Sequence, residues 1–105
     1  MTLANLKVAL LTVTDKVFHF DATGVTGNYI VWAEDGQADS VWADGRMKEQ
    51  TITGTIDYYT KVEYDVTFNA IQTALDGIGI SYRLNSIQYE ELTKYIHTEW
   101  VFEIG

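Results

Sequence analysis

The chain of 105 residues carries 7 Lys and Arg against 15 Asp and Glu, a formal net charge of −8, and has neither cysteine nor proline. Disulfide frameworks, thiolate zinc sites and cysteine nucleophiles are excluded outright, and 47% hydrophobic with 13% aromatic residues is too much core material for a disordered acidic tail. The length sets a single domain that buries roughly 65% of its extended-chain surface, and basic residues scattered from Lys7 to Lys94 without a run argue against a surface that grips phosphates.

Residues 2–13 open with Thr2, a good N-cap, and set Leu3, Leu6, Leu10 and Val13 at helical spacing. About eleven residues are marginal as an isolated helix, so this one needs a sheet on which to dock its leucine stripe. Val17 to Phe20 reads as a brief strand leading to a turn over Gly24 to Asn28. Tyr29 to Glu34 is apolar on both parities, which places it inside a sheet.

From Asp35 to Arg46 the pattern collapses into Asp-Gly pairs and small polar residues around a lone Trp42, and is expected to form a long projecting loop. Gln50 to Tyr58 then alternates strictly. Ile52, Gly54, Ile56 and Tyr58 share one face and three threonines with Asp57 the other, as in a half-exposed antiparallel strand. Asp65 caps a second helix with Phe68, Ile71 and Leu75 in one stripe, and Asp76-Gly77 is expected to end it. Two long strands follow, Ile80 to Tyr89 and Tyr95 to Ile104. In the first, Ile87 and Tyr89 fall out of phase with Tyr82 and Leu84, which predicts a bulge near Asn85 or Ser86. The fold class is α+β: one mainly antiparallel sheet of about five strands with two short helices on it, in the order α-β-β-β-α-β-β.

Few residues offer chemistry. His97 lies near Glu99 on the polar face of the last strand, but no motif sets a nucleophile beside it. His19, between Phe18 and Phe20, reads as a strand-surface or satisfied core residue. Asp35, Asp39 and Asp44 are spaced four and five apart, which does not fit a calcium loop, and Gly24-Val25-Thr26-Gly27 lacks the lysine of a phosphate-binding loop. Neither a metal nor a cofactor is expected. No apolar stretch approaches the roughly 20 residues of a membrane span, and the N-terminus lacks a secretory signal, so a soluble chain of cytoplasmic origin is expected. Trp42 in its polar setting, with Tyr58, Tyr59 and Tyr64 between strand and helix, points to an interface, because aromatics bury large areas with few torsions to freeze.

The segments YIVWAEDG (29–36), TITGTIDYYTK (51–61) and RLNSIQYEELTKYIHTEWVFEI (83–104) resemble small prophage-encoded proteins of Gram-positive bacteria found among head-tail joining and tail genes. Size and element order are similar to the tail terminator, or tail-completion, proteins of long-tailed, siphovirus-type phages. The resemblance implies a virion structural protein assembled in the host bacterial cytoplasm. It would be a homo-oligomeric, hexameric ring that caps the tail tube, stops its polymerisation and helps join tail to head. Its partners would be copies of itself, the tail tube protein and a head-tail connector protein, with DNA passing through the channel without specific binding and no membrane involved. On this reading Asp35, Asp39 and Asp44 are lumen or rim acids and Trp42 is a contact residue. Tyr58, Tyr59 and Tyr64 are subunit contacts, and there is no catalytic residue. The rivals are another head-tail connector or stopper protein and, more distantly, a small ligand-binding or hydrolytic α+β domain built on His97.

Overall fold

The computed structural model describes residues 2–37, 41–43, 46–49 and 51–105. Helix α1 (Leu3–Leu11) starts where the sequence places it. The Thr2 hydroxyl accepts the Asn5 N–H while the Asn5 side chain accepts the Thr2 N–H, a reciprocal cap that satisfies two otherwise unpaired donors. Strands β1 (Val17–His19) and β2 (Tyr29–Gln37) run parallel, and the loop between them turns at Gly24 and Gly27, both left-handed. Then come β3 (Val41–Ala43), β4 (Arg46–Glu49), β5 (Ile52–Thr60), α2 (Thr67–Ile78), β6 (Ser81–Glu90) and β7 (Tyr95–Ile104). Five strands form one sheet in the order β1-β2-β5-β7-β6, antiparallel except at β1, and β3 pairs with β4 as a separate two-stranded ribbon. The α+β class and the element order follow the sequence expectation, with the ribbon as an addition.

One face of the sheet carries the core. Ile30 and Trp32 of β2, Ile56 and Tyr58 of β5, and Trp100 and Phe102 of β7 are buried against Leu6 and Leu10 of α1 and Ile71 and Leu75 of α2. Alternate residues of β5 and β7 point to the opposite face, away from the core in which α1 and α2 pack. Gly54 keeps β5 close to its neighbours: a Cβ there would stand 2.2 Å from the Ala33 carbonyl oxygen and 2.5 Å from the Phe102 ring.

Two expectations are corrected. Of the segment from Asp35 to Arg46, the described residues 35–37, 41–43 and 46 are strand and not loop, while 38–40 and 44–45 lie outside the described residues. Asp35 occupies a bulge in β2, Gly36 resumes pairing with Thr53, and β3 and β4 continue the hairpin beyond the point where Ile52 faces Ile104 at the end of β7. The molecule is accordingly long, 51 × 27 × 22 Å, with a radius of gyration of 15.0 Å where a compact chain of this size has about 13 Å. The second helix does not stop at Asp76-Gly77. It runs through both to Ile78 and ends at Gly79, whose φ of 72° supplies the left-handed C-terminal cap. The expected bulge in β6 is present: the register shifts between Leu84 and Ser86, which keeps Tyr82, Leu84, Ile87 and Tyr89 all opposite the core-facing residues of β7.

Candidate functional site

Asp65 organises the junction between β5 and α2. Its carboxylate accepts the Tyr58 hydroxyl at 2.6 Å, the Thr60 hydroxyl at 2.7 Å and the Thr67 backbone N–H at 2.9 Å. The last bond ties Asp65 to the first residue of α2, but the N-cap position is taken by Val66, which makes no side-chain capping bond, so the cap expected at Asp65 is one residue out of place. Burial works against the charge on Asp65, but these hydrogen bonds outweigh it and hold its carboxyl below the usual range. Tyr58, named from the sequence as a contact residue, is buried in the core, and burial together with its bond to Asp65 raises its hydroxyl pKa.

The junction leads into an apolar surface. Between Thr60 and α2 the chain exposes Val62, Tyr64 and Val66, and across from them β6 exposes Leu84, Ile87 and Tyr89. Of these, Val62, Tyr64, Val66 and Ile87 line a groove of about 390 Å³, together with Phe68 and Ile96. Tyr64 is 95% exposed and adopts φ of 54°. A bulky side chain pays about 1–2 kcal/mol in the left-handed region, and here the exposed ring recovers little of that by packing within the chain. β6 is also an unpaired edge of the sheet, and an edge with apolar side chains invites another chain.

The open face of the sheet carries a second cluster. Phe18, Tyr29, Tyr59 and Tyr95 meet in stacked and edge-on contacts, with Tyr29 and Tyr59 centroids 4.8 Å apart. Tyr59 stacks in turn on the His97 ring at 4.3 Å, and the Lys61 ammonium lies 4.8 Å from the Tyr95 ring centre. His97 Nε2 is 2.6 Å from Asp57 Oδ1, and its Nδ1 faces Glu90 at 3.4 Å. Glu99 stands directly across from Asp57 in the β5–β7 register and accepts a bond from the Asn85 amide at 3.0 Å. The hydrogen bond to Asp57 raises the His97 pKa; burial opposes it, and the charges of Asp57, Glu90 and Glu99 add to the rise. Tyr59 is pushed up to about 12, first by burial and then by Asp57, Tyr29 and the two glutamates. Both ring nitrogens of His97 therefore already face carboxylates, Asp57 at Nε2 and Glu90 at Nδ1. His19 takes the first of its two expected settings, an exposed strand residue, stacked on Trp32 and bonded to Glu34.

The residues named from the sequence therefore separate. Asp35 is exposed in the β2 bulge and accepts the Thr53 hydroxyl at 2.9 Å. Trp42 belongs to β3 opposite Met47. Asp39 and Asp44 lie outside the described residues. Tyr64 borders the groove, Tyr58 lies beneath it, and Tyr59 belongs to the open face. Sequence reasoning passed over Asp57, Glu90 and the apolar residues flanking the groove. The strict alternation of β5 sets Asp57 on the outer face, but only the pairing of strands 40 residues apart brings it to His97. No family model matches the chain, and no curated protein matches it.

Proposed function

We propose that the chain is a non-enzymatic assembly subunit of a phage virion, a tail terminator that works as a homo-oligomeric ring on the tail tube and helps join tail to head. The observation that carries the reading is Tyr64: an almost fully exposed ring on a strained backbone, between exposed Val62 and Val66, at the mouth of an apolar groove beside an open sheet edge. Strain of this kind persists where a contact needs it, and an apolar surface of this kind marks a docking site. A ring closes through heterologous contacts, in which one patch of a subunit meets a different patch of the next. The groove with the β6 edge serves as one patch. The long β2–β5 hairpin and its ribbon provide a reach well suited to the tube or to the neighbouring subunit. The open face, with Asp57, Glu90, Glu99 and Glu103, supplies the acidic surface that suits a channel through which DNA slides.

The test joins assembly in solution to assembly in the virion. Purified chain mixed with tail tube protein forms a complex of about six copies per tube end, and Tyr64→Asp abolishes it while the variant keeps its folded stability. Phage lacking this protein produce tails of unregulated length. Tails of normal length that lack heads reassign the protein to the connector, and fully normal virions refute both roles.

A further inference from the structure

We propose that Asp57, His97 and Glu99 form a binding site for a divalent first-row transition-metal ion of the zinc class on the open face of the sheet. One ligand atom from each residue lies within 4.8 Å of the other two. Asp57 and Glu99 are direct partners across β5 and β7, and like charges placed directly opposite on an antiparallel pair repel one another. The register makes that repulsion a fixed property of the sheet, and a cation seated between the two carboxylates converts it into attraction. His97, two residues along β7 from Glu99, adds a nitrogen donor on the same face.

The details fit an ion. His97 Nε2 and Asp57 Oδ1 are 2.6 Å apart, whereas two tetrahedral ligands of one ion with bonds of about 2.0–2.2 Å stand about 3.3–3.6 Å apart. Exchanging the shared proton for a metal therefore asks for an opening of less than about 1 Å. On the far side of the ring, Glu90 faces Nδ1 at 3.4 Å, where an outer carboxylate orients a ligating imidazole. The Asn85 amide holds Glu99, and the Tyr59 ring packs against the imidazole at 4.3 Å. Imidazole among the donors selects for zinc-class ions over magnesium and calcium, which favour shells of oxygen alone. The bound ion ties β5 to β7 and, through Glu90, draws in β6. The site shares no residue with the apolar groove that carries the assembly reading, though its carboxylates are part of the acidic face that reading assigns to a channel.

Zinc chloride titrated calorimetrically into the full chain at neutral pH, with magnesium and calcium chloride in parallel, tests the site. The expected result is one Zn²⁺ per chain with a dissociation constant of about 10 μM or tighter, no comparable heat from the other two ions, and a rise in melting temperature that chelator reverses. His97→Gln and Glu99→Gln weaken binding by tenfold or more, and Glu90→Gln by about tenfold. Glu99→Gln also removes the opposed charge, so a folding defect does not obscure its result. His19→Gln leaves binding unchanged. Absence of zinc binding, binding untouched by His97→Gln and Glu99→Gln, or binding lost in His19→Gln overturns the proposal.

Discussion

Gly54→Ala is the severest small substitution the fold offers. The added methyl would stand 2.2 Å from the Ala33 carbonyl oxygen and 2.5 and 2.6 Å from two carbons of the Phe102 ring. Ordinary contacts of these kinds begin near 3.4 Å, so β5 must move by about 1 Å from β2 or the Phe102 ring must leave its place. Neither move is cheap, because Phe102 is fully buried in the core and Ala33 adjoins the bulge from which the long hairpin departs. Overpacking of a core costs about 1–3 kcal/mol when only side chains yield. A clash that involves a backbone carbonyl as well is expected to cost about 3 kcal/mol or more, a large part of the 5–15 kcal/mol that holds a domain folded. In urea, with m of about 1–3 kcal/mol/M, the midpoint falls by about 1–3 M. Gly36→Ala is the control: the residue lies in the same hairpin, has nothing within 4 Å of its added Cβ, and stays within about 0.5 kcal/mol of wild type. If Gly54→Ala unfolds within 1 kcal/mol of wild type at an unchanged m value, the packing described around β5 is wrong.

Gly77→Ala and Gly79→Ala have opposite signs although they are two residues apart. The first adds a methyl to a helical position with open space and stabilises by about 0.5–1 kcal/mol, and the second forces φ of 72° on an alanine and destabilises by about 1–2 kcal/mol, both read by thermal melting. Asp65→Ala removes three hydrogen bonds and leaves the buried Tyr58 hydroxyl without its partner, for a loss of about 2–4 kcal/mol at pH 7. Because the folded pKa of Asp65 is depressed, its contribution is complete above its ordinary value of 3.8 and fades as pH falls through the folded value; urea titrations from pH 5 downward should show the variant's deficit shrinking. His97 has the reverse sign. Its folded pKa is raised, so its contribution is complete below 6.5 and is lost as pH rises through the folded value. NMR titration of the imidazole protons gives a midpoint above 6.5, and Asp57→Asn lowers it.

Local signals carried most of the fold. Thr2 and Asn5 make the first helix's cap within four residues, the alternation from Ile52 to Tyr58 needs no knowledge of its partners, and the phase slip between Leu84 and Ile87 marks the bulge because a sheet with one buried face punishes a change of register. The failures came from Asp-Gly pairs read as breaks. At 76–77 the helix continues because its buried stripe extends from Ile71 and Leu75 to the partly buried Ile78, and packing outweighs the small penalty of a helical glycine. At 35–36 the same dipeptide is absorbed by a bulge. In the segment 41–49, the described residues pair as strands, which the small polar neighbourhood hid.

Tyrosines show why site residues are harder to read than elements. Parity alone sets Tyr58 with Ile52 and Ile56, and hence in the core, while Tyr59, one residue on, takes the other face and joins an aromatic stack with His97. Tyr64 follows no periodic pattern, and its exposure depends on how the chain leaves β5 for α2 around the Asp65 hub. The charge behaves in the same way. A net −8 does not say where the charges meet until the strands are in register; pairing then sets Asp57 opposite Glu99, brings Glu90 to the far nitrogen of His97, and gathers three carboxylates around one imidazole. An isolated chain gains little by opposing two acids on its central strands. The cost is explained if the open face meets something positive, such as a metal ion between the carboxylates.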